Sequence, residues 1–159
     1  MITKEIENIL DEMCQNNDAL FEYAKKTYWN LYEEKIKELY PEYDGKAYYN
    51  VPNKIKSDAS LFIKRIDKMM IAADFSISGN DIKFYKYVSN TIIDGDDLFT
   101  MIDGSDPKYI SSVLKDIKKS NNVVKGYALK YVMALASCNG VINKDERDII
   151  EKICSFIKG

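Results

Sequence analysis

Histidine is absent from this sequence, and its absence removes a large share of familiar chemistry. Without imidazole there is no Ser–His or Cys–His nucleophile pair, no histidine general base and none of the usual zinc sites. Cysteine is scarce: Cys14, Cys138 and Cys154 are widely spaced and form no CxxC pair. An odd set without a framework reads as reduced thiols of a cytosolic protein, not as a disulfide scaffold. Seven glycines and three prolines leave few places for the turns that a strand-rich fold needs. No apolar run approaches the length of a membrane span. Residues 1–15 carry acids throughout and have no apolar centre, unlike a secretory leader. Neither a P-loop nor a GxGxxG fingerprint occurs, and Gly45-Lys46 alone is no phosphate loop. The expectation is a cytoplasmic protein that is not an enzyme.

What remains is the composition of a globular helical protein. Hydrophobic residues make up 46% and charged residues 30%, a balance that supports a packed core rather than disorder. Net charge is −2 with lysines and acids interleaved, which gives no broad attraction to nucleic acid or anionic membrane. A chain of 159 residues fits one domain and buries about 68–70% of its unfolded surface without staples.

Apolar residues recur at helical spacing through most of the chain. Ile6, Ile9, Leu10 and Met13 define a short first helix, and Asn16, Asn17 and Asp18 break it. The stripe Phe21, Ala24, Tyr28, Leu31, Tyr32, Ile36 and Leu39 predicts a long second helix, stopped by Pro41. Residues 41–57 hold Tyr43, Tyr48 and Tyr49, too aromatic for a free linker, so this connection should pack on the helices. Ser57 or Asp58 should cap a helix carrying Leu61, Phe62, Ile66, Met69, Met70 and Ala73 inward. A further helix should follow Ser78, with Ile82, Tyr85, Val88 and Ile92 as its stripe, and a single turn should form after the acidic 93–97 stretch. Pro107 marks the next N-terminus, the break at 120–122 ends that helix, and a final pair covers roughly 122–138 and 144–157. The resulting expectation is an all-α single domain, a bundle of about seven or eight helices. Residues 1–40 supply the N-terminal helices, 41–57 the connection and 57–159 the rest.

A repeat emerges when residues 62–88 are set against 127–153. Phe62 then matches Tyr127, Ile66 matches Tyr131 and Met70 matches Leu135. Beyond them, Asp74 matches Asn139, Ile77 matches Ile142, Ser78 matches Asn143 and Asp81 matches Glu146. Each unit reads as a helix, a turn plugged by one aliphatic residue, and a capped second helix: a duplicated helix–turn–helix. Asp81 and Glu146 hold the capping-box position, where a carboxylate reaches back to the cap's amide. The stretch 139–146 also looks like the back half of a calcium loop. Leu135 stands where such a loop needs its first aspartate, so a standard EF-hand is excluded. Asp74, Asp81, Asn139 and Glu146 remain candidates for a looser divalent site, for calcium or magnesium, if the two turns converge. No cofactor is required.

The pattern at 72–81, Ala-Ala-Asp-x-x-Ile-Ser-x-x-Asp, and its partner at 136–146 resemble the TerB-like tellurite-resistance family. The resemblance runs from about residue 57 to the C-terminus. It implies a non-enzymatic all-helical module of bacterial stress, defence or envelope-associated systems, with metal binding suggested through Asp74, Asp81 and Glu146. Asn139 stands where the family usually has aspartate, and Phe75 where it has glycine after Asp74.

Twelve tyrosines and one tryptophan supply the side chains from which interface hot spots are built. Tyr23, Tyr32, Tyr40, Tyr48 and Tyr49 are the candidates for a groove that takes a protein partner or a second copy of the chain. A helix–turn–helix at 62–90 would permit nucleic-acid reading, but only Lys83 and Lys86 lie on its second helix, too few to neutralise phosphates. Nucleic-acid binding and membrane insertion are therefore not expected.

Overall fold

The computed structural model describes residues 17–73, 107–137 and 144–158, together with Asn8. Those residues form five α-helices, α1 (Asn17–Leu39), α2 (Asn53–Ala73), α3 (Pro107–Lys119), α4 (Asn122–Ala136) and α5 (Lys144–Lys158), and one 3-10 turn at Tyr48–Asn50. No strand occurs among the described residues. The expected helices before residue 17 and between 74 and 106 lie outside them, as does the turn of the second repeat at 138–143.

Helix α4 is central. Every residue from Tyr131 to Ser137 is buried, whichever way it faces, as befits a helix surrounded by others. Asn121 starts it, accepting from the Val124 amide at 2.9 Å, and so satisfies one of the open donors of the first turn. Helix α1 packs against α4 most extensively, α5 lies against α4 elsewhere, α2 touches both α1 and α4, and α3 flanks α2 and α5.

The stripe expected on α1 is largely what the fold uses: Ala24, Tyr28, Leu31, Tyr32 and Ile36 are all buried. Leu39 is not. It is 37% exposed, the last residue of the helix, on the wall of an open groove. The stop follows from Pro41, which disfavours helical geometry in the residue before it.

Helix α2 begins at Asn53, four residues before the expected cap at Ser57. Pro52 fixes the chain just ahead of the first turn, where its missing N–H costs nothing, and its carbonyl accepts from the Ile55 and Lys56 amides. Ala59, Phe62, Ile63, Ile66, Met69 and Met70 form the buried face. Leu61 sits on its flank and is 54% exposed, contrary to the inward role expected of it. Pro107 opens α3 as expected, with Val113, Leu114 and Ile117 buried, and the last helices fall at the anticipated limits.

The connection from Tyr40 to Pro52 packs only in part: Tyr43 is half-buried and Tyr48 meets the helix, but Tyr49, expected to pack as well, is 81% exposed. Val51 is buried, and Tyr43 and Tyr48 lie edge-on to one another at 6.4 Å. Gly45 turns the chain at φ 93°, a left-handed conformation that an L side chain adopts only with strain. A Cβ there would meet Glu33 Oε1 at 3.3 Å. No helix among the described residues is long and apolar enough to cross a membrane.

Candidate functional site

Aromatic side chains gather at two levels on α1. Below the surface, Tyr28 is 1% exposed and stands edge-on to the buried Tyr131 of α4, with ring centroids 5.6 Å apart. Tyr131 donates its hydroxyl to Oδ1 of Asp67 at 2.5 Å, and that carboxylate is itself fully buried. The Tyr28 hydroxyl is buried with no hydrogen-bond partner among the described residues. Burial first, then the charge of Asp67 and the neighbouring Tyr32, push the ionisation of Tyr28 well above the ordinary tyrosine range. An aspartate carried inward next to Ile66 is a feature that periodicity alone does not flag.

At the surface, the same helix and the connection form an open cleft of about 220 Å³ lined by Trp29, Tyr32, Glu33, Ile36, Tyr43 and Tyr48. One turn of helix brings Trp29, Tyr32 and Glu33 to a common side, and the Gly45 turn returns Tyr43 and Tyr48 against them. Trp29 meets Tyr32 edge-on at 6.0 Å, and Tyr32 meets Tyr48 edge-on at 6.1 Å. The Tyr32 and Tyr48 hydroxyls are 2.6 Å apart, so one donates to the other. Tyr43 donates to Glu33 Oε1 at 3.5 Å. Burial, followed by Tyr48, holds the Tyr32 hydroxyl well above its usual ionisation range, so it stays neutral. Aromatic pairs in such edge-to-face geometry contribute about 0.5–1.5 kcal/mol each beyond the area they bury. The cleft is consequently a built wall rather than a chance gap.

The five tyrosines singled out in the sequence fall into three groups. Tyr32 and Tyr48 line this cleft; Tyr48 is 42% exposed and Tyr32 nearly covered. Tyr49 is the most exposed of the large apolar side chains, at 81%, next to Tyr48 on the 3-10 turn. Tyr23 and Tyr40 are half-buried packing residues outside the cleft, and Tyr40 engages Glu42. Trp29, Glu33 and Tyr43 complete the lining, and the sequence reading did not nominate them. The signal available was the spacing: Trp29 and Glu33 are i and i+4 on a helix that already carried Tyr32.

Of the four metal candidates, Asp74, Asp81 and Asn139 lie outside the described residues. Glu146 lies in the first turn of α5 and is fully buried, and its side chain is engaged. A carboxylate there also meets the positive end of the helix. No group of three or more acidic or cysteine side chains among the described residues is arranged to hold a metal ion.

A second groove of about 360 Å³ runs across α1, α2 and α3, with Leu39 and Leu61 on its walls and Phe62 in its floor. Two of its cations have acidic partners. Lys35 pairs with Glu38 at 2.6 Å and lies 4.2 Å over the Phe62 ring, while Arg65 pairs with Asp116 and donates to Ser112.

These features define an all-helical protein with an aromatic, acid-bearing surface cleft. Compared with protein-family models, with curated proteins and with solved structures, the chain finds no match in any of the three.

Proposed function

We propose that this chain is a non-enzymatic, TerB-like helical module that acts by binding another protein in a bacterial stress-response, defence or envelope-associated system. On this reading it is a single cytoplasmic domain of seven or eight helices whose helix–turn–helix unit occurs twice. The resemblance of residues 72–81 and 136–146 to that family supports the class. The observation that carries the binding role is the exposed aromatic surface: Trp29 at 40% and Tyr48 at 42% exposure on one cleft, with Tyr49 at 81% next to Tyr48 in the chain. Large rings left in water at one place are the usual anchors of an interface.

The test is a photo-crosslinking side chain introduced at position 49 and, separately, at Val123, another exposed apolar position. Position 49 should yield a discrete covalent adduct in bacterial cells that Trp29→Ala removes. Equal labelling at both positions, or none at 49, would refute the reading.

A second reading, a divalent-metal sensor, is favoured by one observation, the burial of Glu146 in a helix's first turn. Thermal unfolding against calcium, magnesium, manganese and zinc separates the two. A site held at a hundred times its dissociation constant would raise stability by about 2.7 kcal/mol, and Glu146→Ala would abolish that shift. A midpoint that no ion moves leaves Glu146 as a capping residue.

A further inference from the structure

The proposed interaction leaves open what kind of group the aromatic cleft receives, and its chemistry narrows the choice. Its volume of about 220 Å³ falls below the ~300–1,000 Å³ of sites for small organic ligands. One side chain fits it; a cofactor does not. Its walls are ring faces and edges from Trp29, Tyr32, Tyr43 and Tyr48, and its one ionised lining group is Glu33. Ring faces carry negative charge density and attract cations, with tryptophan the strongest of the three aromatic types.

The surrounding charge has the same sign. Residues 33–46 contain five acids, Glu33, Glu34, Glu38, Glu42 and Asp44, against the three lysines at 35, 37 and 46. Two of those lysines are engaged within α1, Lys35 with Glu38 and Lys37 with Glu34 at 3.3 Å, the second also standing near Glu33 and Tyr43 and offsetting part of the charge of Glu33. The molecule already seats an ammonium on this cluster: Lys56 Nζ lies 4.3 Å from the centre of the Tyr48 ring. Lys56 does not line the cleft, so it takes one Tyr48 face without filling the space.

Resting on the reading of the chain as a protein-binding module, we infer that the cleft receives a lysine side chain of the partner, its ammonium held between the Trp29 and Tyr48 rings and the Glu33 carboxylate. The aliphatic stem of that lysine would lie along Ile36 and the ring edges. An anionic or purely apolar anchor would gain nothing from Glu33.

Trp29 is the single tryptophan of the chain, so its fluorescence reports occupancy of the cleft directly. The full-length protein is titrated at constant ionic strength with a blocked pentapeptide bearing one central lysine. A second peptide carries norleucine there, of similar length but uncharged. The lysine peptide should give a saturable change, and the norleucine peptide one at least about tenfold weaker. Glu33→Gln should weaken the lysine titration by roughly tenfold with an unchanged thermal midpoint, and Tyr48→Ala should weaken it as much while lowering the midpoint, because it removes two edge-on ring pairs. Equal binding of the two peptides, an unaffected Glu33→Gln variant, or a flat titration overturns the inference. A flat titration together with a persistent crosslink from position 49 removes the lysine and leaves the protein interaction. Saturation by the lysine peptide without any crosslink removes the protein partner, and the inference falls with it.

Discussion

Tyr28 and Tyr32 lie one helical turn apart on α1, at the buried and the open end of one run of edge-on rings that Trp29 joins, 6.2 Å from Tyr28 and 6.0 Å from Tyr32. Around Tyr28, Tyr131 and Asp67 are shut away between α1, α2 and α4, and the rings there close the core. Around Tyr32, the rings of Trp29, Tyr43 and Tyr48 line space that solvent reaches. Residue type, helix and edge-to-face geometry are the same at both ends. What differs is whether a second helix or a connecting loop faces the rings. The helix completes a close-packed interior, whereas the loop leaves an opening. Stability should therefore reside at the buried end and recognition at the open end.

The sharpest way to break that contrast is at Tyr131. Tyr131→Ala should cost about 3–5 kcal/mol in urea unfolding, as expected for a buried aromatic ring replaced by a void. Tyr131→Phe keeps the ring and removes one donor to a buried carboxylate, and should cost about 1–3 kcal/mol. If both were as mild as a surface change, the buried end would not be a stability element.

Alkaline titration sharpens the comparison next. Tyr28 and Tyr32 ionise, when folded, well above the ordinary value of 10.0. Their neutral forms are favoured by the fold, so this contribution is complete below pH 10 and is lost as pH rises toward the folded-state values. Stability should fall steadily above about pH 10. Tyrosinate absorbance from these two residues should appear together with unfolding, not before it. Early, non-cooperative ionisation of every tyrosine would show that the rings are open to water.

Gly45→Ala tests the loop that completes the open end. The strained φ and the close approach to Glu33 should together cost about 1 kcal/mol or more, read as a lowered thermal midpoint. The smallest effect is expected at Tyr28→Phe. Its hydroxyl has no partner among the described residues, so removing it should be neutral or stabilising by up to about 1 kcal/mol. A clear loss of stability would instead reveal a partner for that hydroxyl from elsewhere in the chain.

Much of this organisation was legible in the sequence, for reasons that are physical and local. The stripe on α1, the Pro107 start and the breaks at Pro41 and Ser120 are written in period and in backbone chemistry, which neighbouring residues settle among themselves. The aromatic content of residues 41–57 likewise announced contact with the helices, which Tyr43 and Tyr48 make and the 81% exposed Tyr49 does not confirm. Asp67, Leu61 and the start of α2 were not legible. The buried carboxylate is met by a hydroxyl from a helix 64 positions later, and the exposure of Leu61 depends on which helices pack beside it, not on its place in the stripe. The cleft was half legible: Tyr32 and Tyr48 could be named from their type and Trp29 and Glu33 from their spacing beside Tyr32, but that Tyr43 and Tyr48 meet them depends on the turn at Gly45.

The two-residue link between α3 and α4 carries a consequence for handling the protein. Lys118 and Lys119 are exposed and stand just before it, an inviting target for trypsin. Yet Glu38 of α1 accepts from the Asn121 amide at 2.6 Å, Lys35 reaches Ser120 at 3.2 Å, and Asn121 itself caps α4. A protease needs several residues of backbone drawn out into its groove, and here the chain is tied down on both sides of the scissile bond. Digestion under native conditions should spare this dibasic site, and a tag or fused domain inserted there would unfasten α1 from the junction it clasps.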